Sequence, residues 1–334
     1  MRDAELLERA RAGDGQAFAE LTEPYRRELL AHCYRMLASA QDAEDAVQDT
    51  MLAAWQNLDS FTGRASLRTW LYRIATNRCL NALRSASRRP PMHASPVHGD
   101  PGQPLRVSEV TWLEPYPDLL LDGIPDQQPG PEARYEASEA ISLAFITALQ
   151  LLPPRQRAAL ILCDVLGFRA GEAADMTGST YAAVASALKH ARATMARHSS
   201  AGVVPPPPPH SDAERALIGK LTSAYTAADL DSLVALLADD VRLAMPPHPF
   251  EYRGRAVAAR GLGQLFAHGH RYRLIETRAN GQPAFAVYRK DPRAGILHAS
   301  GLLVITLAGP RVSAMTLFSP GTLARFGLPR TLPA

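Results

Sequence analysis

Apolar residues recur at intervals of three and four through residues 1–84, a stretch with few glycines and one proline, Pro24, and this spacing predicts a set of helices. Residues 85–134 break the pattern. "SRRPPMHASPVHGDPGQP" and "PYPDLLLDGIPDQQPGPE" are rich in the Pro, Gly and Asp that mark turns and extended connectors. Helical spacing returns at "ASEAISLAFITALQLL" and runs to about Arg197, punctuated at Pro153-Pro154, Gly167 and Gly178. A second boundary is "SSAGVVPPPPPHSD", whose prolines 205–209 predict a polyproline II strut of about 15 Å. Beyond it, Ser211 and Glu214 have the spacing of a capping box ahead of Leu217, Leu221 and Tyr225, and a further helix is expected near 229–238. The period then changes. "VRLAM", "AFAVYRK", "GLLVITLAG" and "RVSAMTLF" read as short strands, so helices give way to a sheet that should curl around them. The expected fold is multidomain: two all-α domains, 1–90 and 135–199, a connector at 91–134, a polyproline linker at 200–210, and an α+β domain at 211–330.

Composition changes this picture little. The 334 residues are 46% hydrophobic and 21% charged, and no apolar run approaches the roughly 18 residues of a membrane span. The charged N-terminus and three scattered cysteines, Cys33, Cys79 and Cys163, point to a cytoplasmic chain with reduced thiols. A net charge of +3 decides nothing by itself, because a nucleic-acid binder is known by clustered charge.

Such clusters exist. In "GRASLRTWLYRIATNRCLNALR" (63–84), Leu67, Leu71, Ile74 and Ala75 form an apolar arc with Trp70 at its edge. Thr69, Arg73 and Arg84 lie on another side, and Arg78 falls inside the arc, which implies a broken helix or an internally paired arginine. Arg64, Arg68, Arg88 and Arg89 extend the positive surface, and Trp70 and Tyr72 offer stacking faces for bases. A solvated basic face accounts equally well for this composition. Upstream, "DAEDAVQDTMLAAW" carries Asp42, Glu44, Asp45 and Asp49 on a helix whose Ala46, Val47, Met51, Leu52 and Trp55 can face a core. That acidic face would repel phosphates and suits a basic protein partner, although acidic residues early in a helix also complement its dipole. Residues 151–197 read as a helix-turn-helix. Its last helix, capped by Thr180, turns Tyr181, Ser186, Lys189, His190 and Arg192 outward, toward a major groove or simply toward water.

The acidic helix followed by "F-x-G-R-A-S-L-R-T-W-L-Y-R-I-A-T-N-R-C-L-N-A-L-R" resembles region 2 of bacterial sigma factors of the extracytoplasmic function group. "LPPRQRAALIL-D-VLG…V-x-S-A-L-x-x-A-R" resembles their region 4. The resemblance implies that Asp42, Asp45, Gln48 and Asp49 dock on core RNA polymerase. It also implies that Arg64, Ser66, Arg68, Trp70, Asn77, Arg78 and Asn81 lie in or near the segment that melts and reads the minus-ten element of promoter DNA. Thr180, Tyr181, Ser186, Lys189, His190 and Arg192 would serve the minus-thirty-five element. Cys163 and Thr177 depart from the pattern, where an arginine and an aliphatic residue are frequent.

The domain at 211–330 resembles a SnoaL-like, NTF2-type cone, carried by a subgroup of these sigma factors together with a segment like "TWLEPYPDLLLDG". Trp112, Leu113, Tyr116 and Leu119 to Leu121 are too apolar for a bare connector and would dock on that domain, which would regulate the sigma regions in cis. A small-molecule ligand in the cone would fit such a role. Asp239, Asp240, His248, His268 and His270 are candidates for proton transfer in such a fold. Asp239-Asp240 instead reads as a turn between helix and strand, and His268-Gly-His270 lacks metal-ligand spacing, so neither catalysis nor a cofactor or metal is expected. The alternatives are an NTF2-like isomerase or hydrolase with a helical appendage, and a helix-turn-helix repressor.

Overall fold

A computed structural model describes residues 2–86, 106–107, 113–121, 139–198, 204–246, 250–267, 271–291 and 295–333. The chain divides into two compact units: Met1–Pro91 with Leu119–Ser199, and Met92–Asp118 with Ser200–Ala334.

The first unit is helical: α1 (Arg2–Arg11), α2 (Gly15–Leu37), α3 (Ala40–Gln56), α4 (Leu67–Ala86), α5 (Leu143–Gln150), α6 (Pro154–Leu160), α7 (Ala170–Thr177) and α8 (Tyr181–His198). Local chemistry sets the ends. Asp14 accepts from the Gln16 and Ala17 amides at 3.0 Å to start α2, which runs through Pro24 and ends at Ala38 in the left-handed region (φ 56°). Ser39 then caps α3 through the Asp42 amide at 3.1 Å, so the chain reverses between two long helices in very few residues. Ser66 begins α4, Pro154 opens α6, and Thr180 accepts from the Ala183 amide to cap α8 as expected. Leu29, Cys33 and Met36 of α2, Ala43, Val47 and Ala54 of α3, and Leu71, Ala75 and Cys79 of α4 are buried together, and each full burial of a Leu-sized side chain contributes about 2 kcal/mol. His32 lies in this core, sharing a 2.9 Å hydrogen bond with Thr76. Burial, aided by Arg35 and Arg68, lowers its pKa to about 3, so the imidazole is neutral.

The second unit holds α9 (Asp212–Ala227), α10 (Leu230–Ala235), α11 (Arg255–Ala267) and strands β1 (Arg106–Val107), β2 (Leu237–Ala244), β3 (Phe250–Arg253), β4 (Tyr272–Ala279), β5 (Gln282–Lys290), β6 (Ile296–Ala308), β7 (Arg311–Phe318) and β8 (Thr331–Pro333). They form one sheet in the order β1-β3-β2-β7-β6-β5-β4, with β8 on β6; among the described strands only β2 and β7 run parallel. Leu217, Leu221 and Tyr225 of α9 and Leu262 of α11 pack against Phe285, Val287, Leu303, Ile305 and Met315 of the sheet. Tyr225 meets Phe266 at 5.5 Å and Tyr272 at 5.7 Å, both edge to face, which fills the interior with aromatic rings. This is the α+β domain expected from the change of period.

Two local expectations fail. The helix near 229–238 stops at Ala235, and Asp239-Asp240 lies inside β2 rather than in a turn. Burial of Leu237 and Val241 draws the chain into the sheet at once, and an irregularity in the pairing with β7 accommodates the two acids. The Ser211/Glu214 spacing does cap α9, at 3.2 Å to the Glu214 amide. The Glu214 carboxylate, however, accepts from the His210 amide (2.7 Å) and from Arg278 (3.0 Å) instead of closing a reciprocal box.

Candidate docking and nucleic-acid interfaces

On α3 the buried stripe is Ala43, Ala46, Val47, Thr50, Met51 and Ala54, and the opposite stripe is exposed: Asp42, Glu44, Asp45, Gln48 and Asp49. Leu52 belongs to the exposed stripe, 56% accessible, and not to the core as its apolarity suggested. Its position, three residues after Asp49 and four after Gln48, places it on the acidic face. The result is a carboxylate surface with one apolar anchor, while Trp55 folds back half-buried against Phe18 at 5.1 Å.

α4 is one continuous helix whose buried arc is Leu71, Tyr72, Ala75, Thr76, Cys79 and Leu80. Arg78 lies beside this arc and is exposed, so neither a break nor an internal partner is needed. Arg64, Ser66 and Asn81 are also exposed, and Trp70 is half-buried against Phe61 at 5.2 Å. Tyr72 offers no stacking face for a base, because it is fully buried between His32 and Phe168. Arg68 is held from two sides. Its guanidinium donates to both oxygens of Glu28 at 3.0 and 3.1 Å and stacks over the rings of Tyr72 (4.8 Å) and Phe168 (5.1 Å). Burial pushes the Glu28 carboxyl up, opposed by the Arg68 charge. Asn77 Nδ2 donates to the carbonyls of Arg73 (2.8 Å) and Met176 (3.0 Å). Arg88 and Arg89 lie outside the described residues.

Phe168 and Met176 thus bring the α7 end of the second helical segment onto the same side of α4 as Arg68 and Asn77. Two further arginines tie the segments. Arg35 Nε donates to the Ala140 carbonyl at 3.0 Å. Arg157, buried and lowered by that burial to about 10, donates to the Met36 carbonyl at the end of α2 (2.5 Å) and to Gln150 and Leu152. Its charge is compensated by carbonyl oxygens, among them that of a helix C-terminus.

On α8, Thr180, Tyr181, Ser186, Lys189 and His190 are exposed, Tyr181 by 66%. Arg192 is not an outward residue. It is half-buried and donates Nε and Nη2 to the two oxygens of Asp164 at 2.8 and 2.6 Å, and that carboxylate is buried. The spacing that put Arg192 near Lys189 ignored a partner 28 residues away. Arg192→Ala should therefore lower stability by about 2 kcal/mol, because it strands a buried carboxylate. Lys189→Ala should leave stability unchanged and lower the salt slope of DNA binding by about one unit. Thermal unfolding and salt-dependent binding separate the two; equal thermal midpoints would contradict the buried-pair role of Arg192.

The second unit holds the connector segment. Tyr116 is fully buried, its amide donates to Asn280 Oδ1 (2.8 Å), and its carbonyl accepts from the Asn280 amide (2.9 Å). Asn280 sits in the left-handed region (φ 57°) at the β4–β5 turn. The Gly281 amide reaches Asp118 Oδ1 at 2.8 Å, Arg278 lies 3.4 Å from Asp118, and Glu114 pairs with Arg325 at 3.0 Å. Leu113 is half-buried, Leu119 is 72% exposed, and Trp112 lies outside the described residues. The segment docks through Tyr116 and a polar clip more than through its leucine run. Asp239 is exposed and paired with Arg255 at 2.9 Å; His248, His268 and His270 lie outside the described residues. Among the described residues no three His, Cys, Asp or Glu side chains gather as metal ligands, and no helix is long and apolar enough to cross a membrane.

The family pattern Sigma-70 region 2 matches residues 21–89, and Sigma-70, region 4 matches residues 142–195. The chain is 42% identical over 329 residues to the ECF RNA polymerase sigma factor SigG of Mycobacterium tuberculosis, covering 96% of this chain and 86% of that protein. It is 32% identical over 195 residues to SigM of the same organism, covering 58% of this chain and 83% of SigM. The crystal structure of the M. tuberculosis extracytoplasmic function sigma factor SigJ shares the fold, with a TM-score of 0.63 at 22% identity over 93% of this chain and 99% of that one.

Proposed function

This chain belongs to the ECF RNA polymerase sigma factors, and from that premise we propose how its surfaces divide the work of bringing core polymerase to a promoter. The exposed stripe Asp42, Asp45, Gln48 and Asp49 with Leu52 is the polymerase-docking face, and this stripe is the observation that carries the reading. Arg64, Ser66, Trp70, Arg78 and Asn81, with Arg68 and Asn77 once released, read the minus-ten element. Thr180, Tyr181, Ser186, Lys189 and His190 read the minus-thirty-five element, and Arg192 positions the helix that carries them. The chain is a non-catalytic subunit that acts in the cytoplasm with polymerase and template. Run-off transcription with purified core polymerase on genomic promoter fragments tests this: promoter-specific transcripts are expected, and their absence from every fragment would refute it.

The packing of α7 on α4 is a closed form. Two elements named for positions ten and thirty-five lie about 25 base pairs, or roughly 85 Å, apart, whereas Asn77 and Met176 are in hydrogen-bond contact. One chain cannot read both elements without opening. The Tyr116–Asn280 clip holds the connector between the two helical segments, so the C-terminal domain biases this equilibrium in cis. Asn280→Ala removes the acceptor of a buried amide, at a cost of about 1–3 kcal/mol. Transcription at equal folded concentration should rise several-fold; an unchanged yield would make the clip purely structural.

A further inference from the structure

Positive charge is unevenly distributed along this chain. Residues 211–334 carry 15 arginines and lysines against nine aspartates and glutamates, whereas residues 1–210 carry 21 against 24. The part assigned to DNA reading is net acidic, and the C-terminal domain is net basic.

Many of these cations are spoken for. Arg278 binds Glu214, Arg253 binds Glu251, Arg255 binds Asp239, Arg325 binds Glu114, Arg215 binds Asp212, and Arg311 donates to the Ala235 carbonyl. A second group is not. Arg271, Arg273, Arg289, Lys290 and Arg330 are exposed, and none makes an ion pair or a side-chain hydrogen bond among the described residues. The sheet gathers them at one end of β4, β5 and β6. Arg289 stands between Tyr272 and His298 in the ladder, Arg273 is opposite Tyr288, and the Lys290 amide bonds the Arg271 carbonyl at 3.0 Å. Arg271, Arg273 and Lys290 therefore share one face of the sheet, and Arg289 and His298 share the other. An open concavity of about 420 Å³, lined by His298, Ala299, Pro320, Gly321, Arg330 and Thr331, lies at the same end. The nearby carboxylate is Asp291, 3.8 Å from His298.

From this juxtaposition we infer that the open end of the β4–β5 hairpin is a binding edge for the phosphates of duplex DNA, a sequence-independent contact made by the C-terminal domain. Four of its five free cations are arginines, whose planar donors fit phosphate oxygens, and they are spread over two faces and a rim, as suits a charged backbone more than a small anion. The inference rests on the sigma reading only for the source of the DNA, which the same chain engages at a promoter. The edge would add affinity without adding specificity.

The test uses the full chain, alone and with core polymerase, on two promoter fragments: one ending just upstream of the minus-thirty-five element, the other about 60 base pairs longer. The variant is Arg271→Gln, Arg273→Gln and Lys290→Gln, three exposed positions whose loss removes no internal partner. On the longer fragment the slope of log affinity against log salt should fall by about two to three, with at least a tenfold loss of affinity near 0.15 M salt. On the short fragment the variant should lose less. Unchanged slopes on both fragments would overturn the proposal. So would unchanged DNA binding accompanied by tighter association with core polymerase at low salt, because the edge would then be serving the acidic face of α3. Loss of run-off from the short fragment by the wild-type chain would refute the sigma reading, while the salt slope of the chain alone still decides this one.

Discussion

Replacing Asp45 and Asp49 with arginine should abolish association with core polymerase and, with it, all promoter-specific transcription. Both side chains project from the exposed stripe of α3, so the helix loses no core packing. The double change moves the face by four charge units, and the contacts that these two carboxylates make with a basic partner become repulsions. Juxtaposed like charges across an interface cost several kcal/mol, enough to lower affinity more than a thousandfold. Helical content and thermal midpoint should stay near wild type, since exposed substitutions away from caps and cores usually change stability by under about 0.5 kcal/mol. Leu52→Ala is the companion variant. It removes apolar surface from the C-terminal end of the same stripe and should weaken association about tenfold, with no loss of stability because the side chain is mostly accessible in the free chain. Co-purification and run-off transcription are the readouts. A D45R/D49R chain that still co-purifies with polymerase would place the docking surface elsewhere.

The parts of this molecule that are legible in its sequence are those decided by neighbours three or four residues away. The acidic stripe of α3, the Thr180 cap of α8, the Pro154 start of α6 and the strands β5, β6 and β7 all follow from local spacing. Where a partner is distant, spacing misleads. Arg68 and Arg192 look like free surface cations along the chain, yet one finds Glu28 forty residues back and the other finds Asp164 twenty-eight residues back. Tyr72 looks like an available stacking ring from its residue type, yet its whole side chain, hydroxyl included, is buried. Strand β4 carries so many charged residues that its alternation gives no clear strand signal, although Asn280-Gly281, a strong hairpin signal, follows it. That Asn280 would also clamp Tyr116, 164 residues earlier, has no local trace. The same holds for Phe168 and Met176: nothing in a helix-turn-helix pattern says that its second helix packs on α4.

That cover has a measurable consequence. Spin labels placed by Arg73→Cys on α4 and Asp175→Cys on α7 report it directly, because both positions are exposed and flank the Asn77–Met176 contact. The three natural cysteines are buried, so labelling falls on the introduced thiols. In the free chain the labels should lie within about 25 Å, as expected for helices packed about 10 Å apart. In a transcribing complex they should separate to roughly 85 Å, the span of 25 base pairs, which is a change far beyond any label flexibility. A short distance that persists in an active complex would show that the α4–α7 contact is compatible with promoter reading and that no opening occurs. A complex with core polymerase but without DNA locates the driving force. If polymerase alone lengthens the distance, docking on α3 is coupled to release of Arg68 and Asn77. If DNA is needed, binding of the promoter draws on a minor open population. A free chain open one time in a hundred would then bind promoter DNA about a hundredfold more weakly than its open form does, and Asn280→Ala should recover part of that factor in proportion to the longer distances it populates.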